Sequence, residues 1–111
     1  MLRFKTRQIK DLIDEVAVCL KRKDQEEADR IVLATLLLKL QKDNQFAQKT
    51  IRDALQSVLG RNRHFAVSHC HKLGRRATFA AKELEKLKLD FYPEIRRAAI
   101  KALKRIDDDT P

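Results

Sequence analysis

Three histidines and two cysteines are the imidazole and thiol side chains of this sequence that could bind a metal ion. His64, His69, Cys70 and His71 lie close together along the chain, and imidazole and thiolate groups are the usual zinc ligands in proteins. On a helix, only residues three or four apart share a face, so His69, Cys70 and His71 would point in three directions. The residue one turn after His64 is Ser68, which completes no histidine pair. We therefore predict no metal site and no cofactor.

A cysteine beside histidines could also act as a nucleophile, which requires a base and an acid that orients the base. No Asp or Glu occurs between Asp53 and Glu83, so no such acid lies near Cys70 in the sequence. We therefore predict no catalytic residue and a protein that is not an enzyme. Cys19 and Cys70 both fall in helical patterns, and we interpret them as small buried apolar residues in a reducing compartment. The simplest expectation is a cytoplasmic protein.

The chain is strongly basic. Its 111 residues include 25 Lys and Arg against 16 Asp and Glu, which gives a formal net charge of +9. The span between Asp53 and Glu83 contains all three histidines together with the cations Arg61, Arg63, Lys72, Arg75, Arg76 and Lys82. Such a charge favours nucleic acid, acidic protein or anionic membrane partners. The alternative is that these cations are solvated or paired with acids on neighbouring helices, such as Glu83, Glu85 and Asp90.

The composition predicts an all-α protein. Only 2 Gly and 2 Pro are present, which are too few turn-forming residues for a fold of many strands, and aromatic residues, which are common in strands, are only 5% of the chain. Leu, Ala, Lys, Glu, Gln and Arg dominate, and all are good helix formers. No apolar run approaches the roughly 20 residues of a membrane-spanning helix, and the N-terminus lacks the apolar region of a secretory signal. We expect one domain and no membrane partner.

The apolar periodicity predicts six helices joined by short connections, so that neighbouring helices form antiparallel hairpins. The first covers about 6–22, the second includes 31–40, the fourth covers about 62–73 and the fifth about 77–89. The third is expected to direct one apolar stripe inward: Ala47, Ile51, Ala54, Leu55 and Val58. The sixth begins near Pro93, because proline is favoured in the first turn of a helix.

Several residues are placed to mark the helix ends. Asp24 and Glu27 have the spacing of a capping box for the second helix, and Asp43 or Asn44 is expected to cap the third. Glycine is the residue that most often follows the last turn of a helix. Two glycines are therefore predicted to end the third and the fourth helix, in that order: Gly60 and Gly74.

An internal repeat relates the second, fourth and sixth helices. Shifting the chain by 33 residues aligns them without a gap, and Arg30, Arg63 and Arg96 then share a column. The same shift, called the 33-residue register below, places the Phe-Ala pair at 46–47 on the pair at 79–80. Apolar residues also coincide, for example in the column Leu40, Leu73 and Ile106. A fixed period of this length is typical of stacked helical repeats.

The stretch 90–103 resembles the second helix of a HEAT repeat. It has an Asp in the turn, an apolar-Arg pair at the helix start and a run of small residues ending in Leu. Asp90 and Arg96 are six residues apart, as are Asp24 and Arg30. The resemblance implies an α-α superhelix (solenoid) of three HEAT-like hairpins, in which the second helix of each hairpin lines the concave side and the aligned arginines pair with turn carboxylates. The three repeats would span approximately 5–41, 43–74 and 76–107.

The predicted concave wall changes from apolar to basic along the stack. Its first repeat would present Ile31, Thr35, Leu38 and Lys39, with an exposed apolar patch at Ile31 and Leu38. In the middle repeat Ser57 replaces the turn Asp, so we expect Arg63 to be the aligned arginine most available for binding. The candidate binding residues are Arg63, His64, Ser68, His71, Lys72, Arg75, Arg76, Arg97, Lys101, Lys104 and Arg105.

These features predict a non-catalytic module that binds a protein partner, acidic or amphipathic, on its concave face. The alternative is nucleic-acid binding, in which the same basic wall contacts phosphates rather than stacking on bases. An enzyme subunit is a third interpretation, but no catalytic residue can be placed to support it. The sequence leaves open the identity of the partner, the oligomeric state and whether further repeats belong to the chain.

Overall fold

The computed structural model describes residues 6–22 and 26–108, and in these residues the fold is all-α. No strand occurs in the described residues, which confirms the all-α part of the predicted fold class. The helices are α1 (Thr6–Leu20), α2 (Glu27–Leu40), α3 (Gln45–Ala54), α4 (Gly60–Leu73), α5 (Ala81–Leu87) and α6 (Pro93–Asp108), with a 3-10 helix (Gly74–Ala80) between α4 and α5.

Helices α2, α4 and α6, which the 33-residue register relates, lie side by side. Helix α2 packs against α4, and α4 packs against α6. The other helices cover this row: α1 and α3 pack on α2, the 3-10 helix packs on both α4 and α6, and α5 packs on α6. The molecule measures 44 × 39 × 24 Å, and its shortest dimension is about two helix diameters. Apolar side chains between the helices form one buried core, which includes Leu20, Ile31, Leu37, Ile51, Val67, Leu84, Ile95 and Ala99.

Three predicted helix ends are confirmed. Asn44 caps α3, because its side-chain oxygen accepts a 2.9 Å hydrogen bond from the backbone N–H of Ala47. Pro93 is the first residue of α6, where its missing N–H costs no helical hydrogen bond. Gly74 follows the last turn of α4 with a φ of 57°, a conformation that side chains other than glycine rarely adopt.

Gly60 was expected to end the third helix, and this prediction is wrong. Helix α3 already ends at Ala54, and Gly60 is the first residue of α4. Glycine is required at this position for a different reason, because an aromatic ring closely approaches the backbone there. A Cβ atom at Gly60 would lie 2.7 Å from Cε2 of Tyr92. The shorter α3 also explains why Val58, expected on the inward stripe, is almost fully exposed.

Two other predicted elements differ from the structure. Helix α2 begins at Glu27, with Glu26 as its N-cap and no side-chain cap, so Glu27 cannot be the third residue of a capping box; Asp24 lies outside the described residues. The fifth helix, expected over 77–89, is a 3-10 helix followed by the short α5. Residues three apart are eclipsed in a 3-10 helix, which places one face of small residues against the core: Gly74, Ala77 and Ala80.

Helix α2 buries the side that the 33-residue register predicts to be exposed. Ile31 and Leu38 are completely buried and Thr35 nearly so, so the expected exposed patch at Ile31 and Leu38 is wrong. The equivalent positions of α4 and α6 are exposed or half-buried. The difference follows from packing, because α1, α3 and α4 pack on α2 and the face that they cover includes Ile31, Thr35 and Leu38, while Leu36 and Leu40 are exposed.

Candidate functional site

The aligned arginines stabilise the turns that precede their helices. In each case a guanidinium nitrogen donates a hydrogen bond to a backbone carbonyl of the preceding connection or helix end. The distances are 3.0 Å from Arg30 to the Leu20 carbonyl, 2.8 Å from Arg63 to the Ser57 carbonyl and 2.7 Å from Arg96 to the Asp90 carbonyl. This shared contact gives the column a structural role, since it satisfies carbonyls that have no helical partner.

Arg63 is the most fully paired of the three, so the expectation that it is the most available is wrong. Its Nε donates to Oδ2 of Asp90 at 2.8 Å and its Nη2 to Oδ1 at 3.2 Å. Both side chains are largely buried, with 15% and 6% of their surface exposed. Burial alone would raise the pKa of Asp90, but hydrogen bonds from Arg63 and from the Tyr92 N–H, with the charges of Arg63 and Arg96, lower it overall. The partner of Arg63 comes from the following repeat, which is why its own turn gave no sign of it.

Ser57 fulfils in the middle turn the local role of Asp90 in the last one. Its Oγ accepts a 3.2 Å hydrogen bond from the Leu59 N–H, as Oδ1 of Asp90 accepts one of 3.0 Å from the Tyr92 N–H. Ser57 Oγ also donates to Glu27 Oε2 at 3.1 Å, and Asn62 Nδ2 donates to the same oxygen at 2.7 Å. These hydrogen bonds join the turn before α4 to α2. The ion pair between Arg63 and Asp90 joins the turn before α6 to α4 in the same way.

An apolar pair stands exposed immediately before each of α4 and α6. The pairs are equivalent in the 33-residue register, and their exposed fractions are 94% for Val58, 44% for Leu59, 84% for Phe91 and 45% for Tyr92. Leu59 is the N-cap residue of α4, but it provides no side-chain cap and leucine is among the poorest N-cap residues. Neither core packing nor capping therefore explains these residue types. Neither pair was predicted to be a binding element, although the 33-residue register places the two pairs in one column.

A cleft lies between the N-terminal ends of α4 and α6. It has a volume of about 480 Å³, within the usual range of ligand pockets, and we call it the N-terminal cleft. Its lining residues are Leu59, Gly60, Arg61, His64, Tyr92, Glu94 and Ile95. Since both helices contribute their first turns to it, α4 and α6 run in the same direction.

The Tyr92 ring is held on one side of the cleft by its neighbours. It packs against Gly60, where no Cβ atom could be accommodated without displacing it. The guanidinium of Arg63 lies 6.0 Å from its centroid, and the ring of Phe91 meets it edge to face at 5.2 Å. Because Arg63 is itself fixed by Asp90, the buried ion pair also orders the cleft.

Apart from Arg63, which is largely buried, the sequence-predicted site residues lie on the exposed sides of α4 and α6 and at their margin. His64 lines the N-terminal cleft. On α6, Arg97, Lys101, Lys104 and Arg105 are exposed, and on α4 Ser68 and His71 are half-buried while Lys72 is exposed. We call this surface the α4–α6 face; its members are His64, Ser68, His71, Lys72, Arg97, Lys101, Lys104 and Arg105. Two further predicted residues are exposed beyond the C-terminal end of α4: Arg75 and Arg76.

His69 and Cys70 point away from this surface into the core. The His69 ring meets Phe65 edge-on at 4.5 Å, and its buried Nδ1 has no hydrogen-bond partner. Burial, with the nearby charges of Lys72 and Lys39, lowers the pKa of His69. Burial also raises the pKa of the Cys70 thiol to about 12, with a smaller effect of the Glu83 charge. No group of three or more His, Cys, Asp or Glu residues in the described ranges could hold a metal ion.

The chain matches no protein-family model, no curated protein and no solved structure. Among the helices described, none is long and apolar enough to cross a membrane.

Proposed function

We propose that the protein is a HEAT-like solenoid of three hairpins in which α2, α4 and α6 form the inner wall. Three observations support this architecture. The three helices lie side by side in chain order, as the 33-residue register requires. Each aligned arginine donates a hydrogen bond to a backbone carbonyl of the connection or helix end that precedes its helix. The thickness of 24 Å fits two layers of helices.

We propose further that the protein is a non-catalytic binding module for an acidic or amphipathic segment of another protein. The observation that carries this proposal is the juxtaposition of exposed bulky apolar residues with exposed cations. Val58, Leu59, Phe91 and Tyr92 lie directly before α4 and α6, the two helices that carry the basic face, and Leu59 and Tyr92 line a cleft with Arg61 and His64. Protein-binding surfaces commonly combine aromatic anchors with arginine and a polar rim. The largest exposed apolar patches of soluble proteins are often functional.

A second candidate function is nucleic-acid binding through the α4–α6 face. It is favoured by the exposed cations Arg97, Lys101 and Lys104, which recur every three or four residues and thus project from one side of α6. Such a row would contact phosphates without reading bases. It would leave the apolar residues at the N-terminal cleft without a role, and we therefore place it second.

Titrations with polyglutamate, duplex DNA and RNA at about 50 and 200 mM salt distinguish the two functions. We expect the protein to bind polyglutamate, and the double variant Lys101→Glu, Lys104→Glu to lose this binding. The matched control is Lys82→Glu, Lys86→Glu on α5, which makes the same charge change at exposed positions outside the α4–α6 face. DNA or RNA binding that exceeds polyglutamate binding at both salts and is lost only in the α6 variant would make nucleic-acid binding the function.

A further inference from the structure

We infer that the N-terminal cleft takes one bulky apolar side chain, preferably aromatic, from an acidic peptide segment whose carboxylates lie along the α4–α6 face. The inference rests on the proposed protein-binding function and specifies the ligand of the same site. In this arrangement the N-terminal cleft binds the apolar side chain, and the cations of the α4–α6 face attract the carboxylates of the peptide.

The walls of the cleft fit an apolar group. Leu59, Tyr92 and Ile95 provide an aliphatic and an aromatic surface, and the volume of about 480 Å³ exceeds that of a single aromatic side chain. Leu59 and Tyr92 remain nearly half exposed, so an inserted ring would remove apolar surface of both from water. The removal of apolar surface from water stabilises a complex in proportion to the area removed. Aromatic anchors in such pockets commonly dominate the affinity of an interface.

The cleft is already formed in the protein alone. The ion pair between Arg63 and Asp90 joins the first turn of α4 to the turn before α6. Tyr92 is positioned by Gly60 beneath its ring and by the nearby Arg63 guanidinium. A pocket fixed by buried contacts needs little ordering when a ligand enters, which increases affinity for a given contact area.

The charge around the cleft selects an acidic flank for the apolar side chain. Arg61 and His64 lie at the α4 side of the cleft, and Glu94 lies at the α6 side. From the cleft, the α4–α6 face continues with Lys72, Lys101 and Lys104, and α4 itself has no acidic residue. Complementary charges of this kind steer binding and fix the register of a peptide. A peptide with carboxylates on one side of its aromatic residue fits this arrangement.

Two fluorescence properties of the chain make the inference testable without a label. The sequence has no Trp, and Tyr92 is its one Tyr. The probe is a short Glu- and Asp-rich peptide with a single Trp, and its matched control has Ser in place of Trp. When the Trp enters the cleft, we expect its emission to shift to shorter wavelength and the Tyr92 emission to fall by energy transfer. The Ser peptide should bind about tenfold more weakly and leave the Tyr92 emission unchanged.

Two variants in the loop before α4 distinguish binding in the cleft from non-specific hydrophobic binding. Leu59→Ser changes a wall of the cleft, whereas Val58→Ser changes an adjacent, more exposed apolar residue that does not line it. We expect the affinity for the Trp peptide to fall about tenfold in Leu59→Ser and less than twofold in Val58→Ser. Thermal melting by circular dichroism checks that both variants fold. If Leu59→Ser does not fold, the emission shift and energy transfer in the unmodified protein decide the question.

Three results would overturn the inference. Equal binding of the Trp and Ser peptides, lost in Lys101→Glu, Lys104→Glu, would leave the basic face as a protein-binding surface but remove the anchor pocket. Binding of neither peptide, together with tight DNA or RNA binding, would reject the proposed function itself. Binding to vesicles of phosphatidylcholine and phosphatidylserine, weakened equally by Val58→Ser and Leu59→Ser while neither peptide binds, would assign the apolar residues to a lipid surface.

Discussion

His69 and Cys70 are neighbours in sequence, and burial opposes the charged form of each. The effect lowers the pKa of the imidazole and raises that of the thiol, because transfer from water penalises the charged form of either group. Both residues therefore favour their neutral forms in the folded protein. They act as core residues of α4, and the chemistry that their types suggested is not supported by their positions.

The pH dependence of stability should contain a contribution from His69. Because its folded pKa is lowered, its neutral form is favoured by folding, and the stability it contributes is complete above the ordinary pKa of about 6.5. As pH falls below that value, the unfolded chain binds more protons and the free energy of unfolding decreases. Urea unfolding at pH 7.5 and 5.5 measures this decrease.

We expect the decrease to be smaller in His69→Leu, which introduces the residue found at the equivalent position of α2, Leu36. The matched control is His64→Gln, which removes an exposed histidine and should leave the decrease nearly unchanged. An equal decrease in His69→Leu and the unmodified protein would show that His69 does not cause it.

The two cysteines should differ sharply in reactivity. The thiolate is the reactive form, and with a pKa of about 12 the buried Cys70 thiol stays protonated near neutral pH. Cys19 is only partly buried. We expect N-ethylmaleimide at pH 7.5 to modify Cys19 in the native protein and Cys70 only after unfolding in urea, as measured by peptide mass mapping. Rapid native modification of Cys70 would contradict its placement in the core.

At the scale of elements, the contacts between successive turns determine how α4 and α6 are joined. The ion pair between Arg63 and Asp90 should contribute far more than the surface pair between Lys49 and Asp53, although the shortest distances are similar, 2.8 and 2.7 Å. The first pair is largely buried, whereas the second has more than half of each side chain exposed. Removing one partner leaves a buried charge without compensation only in the first pair.

We expect Asp90→Asn to lower the free energy of unfolding by about 3 kcal/mol and Asp53→Asn by less than about 1 kcal/mol. Urea unfolding at pH 7 measures both changes. A double-mutant cycle of Asp90→Asn with Arg63→Met should show strong coupling between the two sites. The pKa of Asp90 is lowered by folding, so its contribution should be lost as pH falls below about 4. A change in Asp90→Asn no larger than that in Asp53→Asn would contradict the importance of burial here.

The elements differ in how far the sequence could predict them. Helices α4 and α6 were predicted nearly in full because their apolar periodicity is long, and Asn44, Gly74 and Pro93 act through local backbone chemistry. The role of Gly60 could not be predicted, because the ring that requires it comes from a residue 32 positions later. The face that α2 buries depends on where the neighbouring helices pack on it, which is a tertiary property absent from its own pattern.

The candidate site could be predicted only in part, because some of its features also depend on tertiary contacts. Exposure of Arg97, Lys101 and Lys104 follows from the helical wheel of α6 and was expected. Arg63 pairs with Asp90, which lies 27 residues later in the chain. The turn before Arg63 therefore could not show that its guanidinium is paired, and the prediction that Arg63 is available was wrong. The N-terminal cleft arises only when α4 and α6 pack side by side, and the apolar pairs at its edge resembled ordinary core residues in the sequence.

At the scale of the whole molecule, the distribution of charge is the dominant feature. The chain has a formal net charge of +9, its described part is only 24 Å thick, and the span between Asp53 and Glu83 contains no acid that could offset its cations. Like charges at this density repel one another and oppose the compact state. The buried pair of Arg63 and Asp90 is screened by salt much less than exposed charges are. Added salt should therefore relieve more repulsion than attraction.

We expect the melting temperature, measured by circular dichroism at pH 7, to rise by a few degrees between low salt and about 0.5 M NaCl, where exposed charges are strongly screened. The variant Lys101→Glu, Lys104→Glu, in which each substitution lowers the net charge by two, should show a smaller rise and a higher melting temperature at low salt. The same substitutions are expected to abolish polyglutamate binding, which would mean that the cations of α6 are retained for recognition at a cost in stability. A melting temperature that falls as salt is added would instead indicate that the exposed cations are mostly engaged in ion pairs, and the α4–α6 face would then offer little charge to a partner.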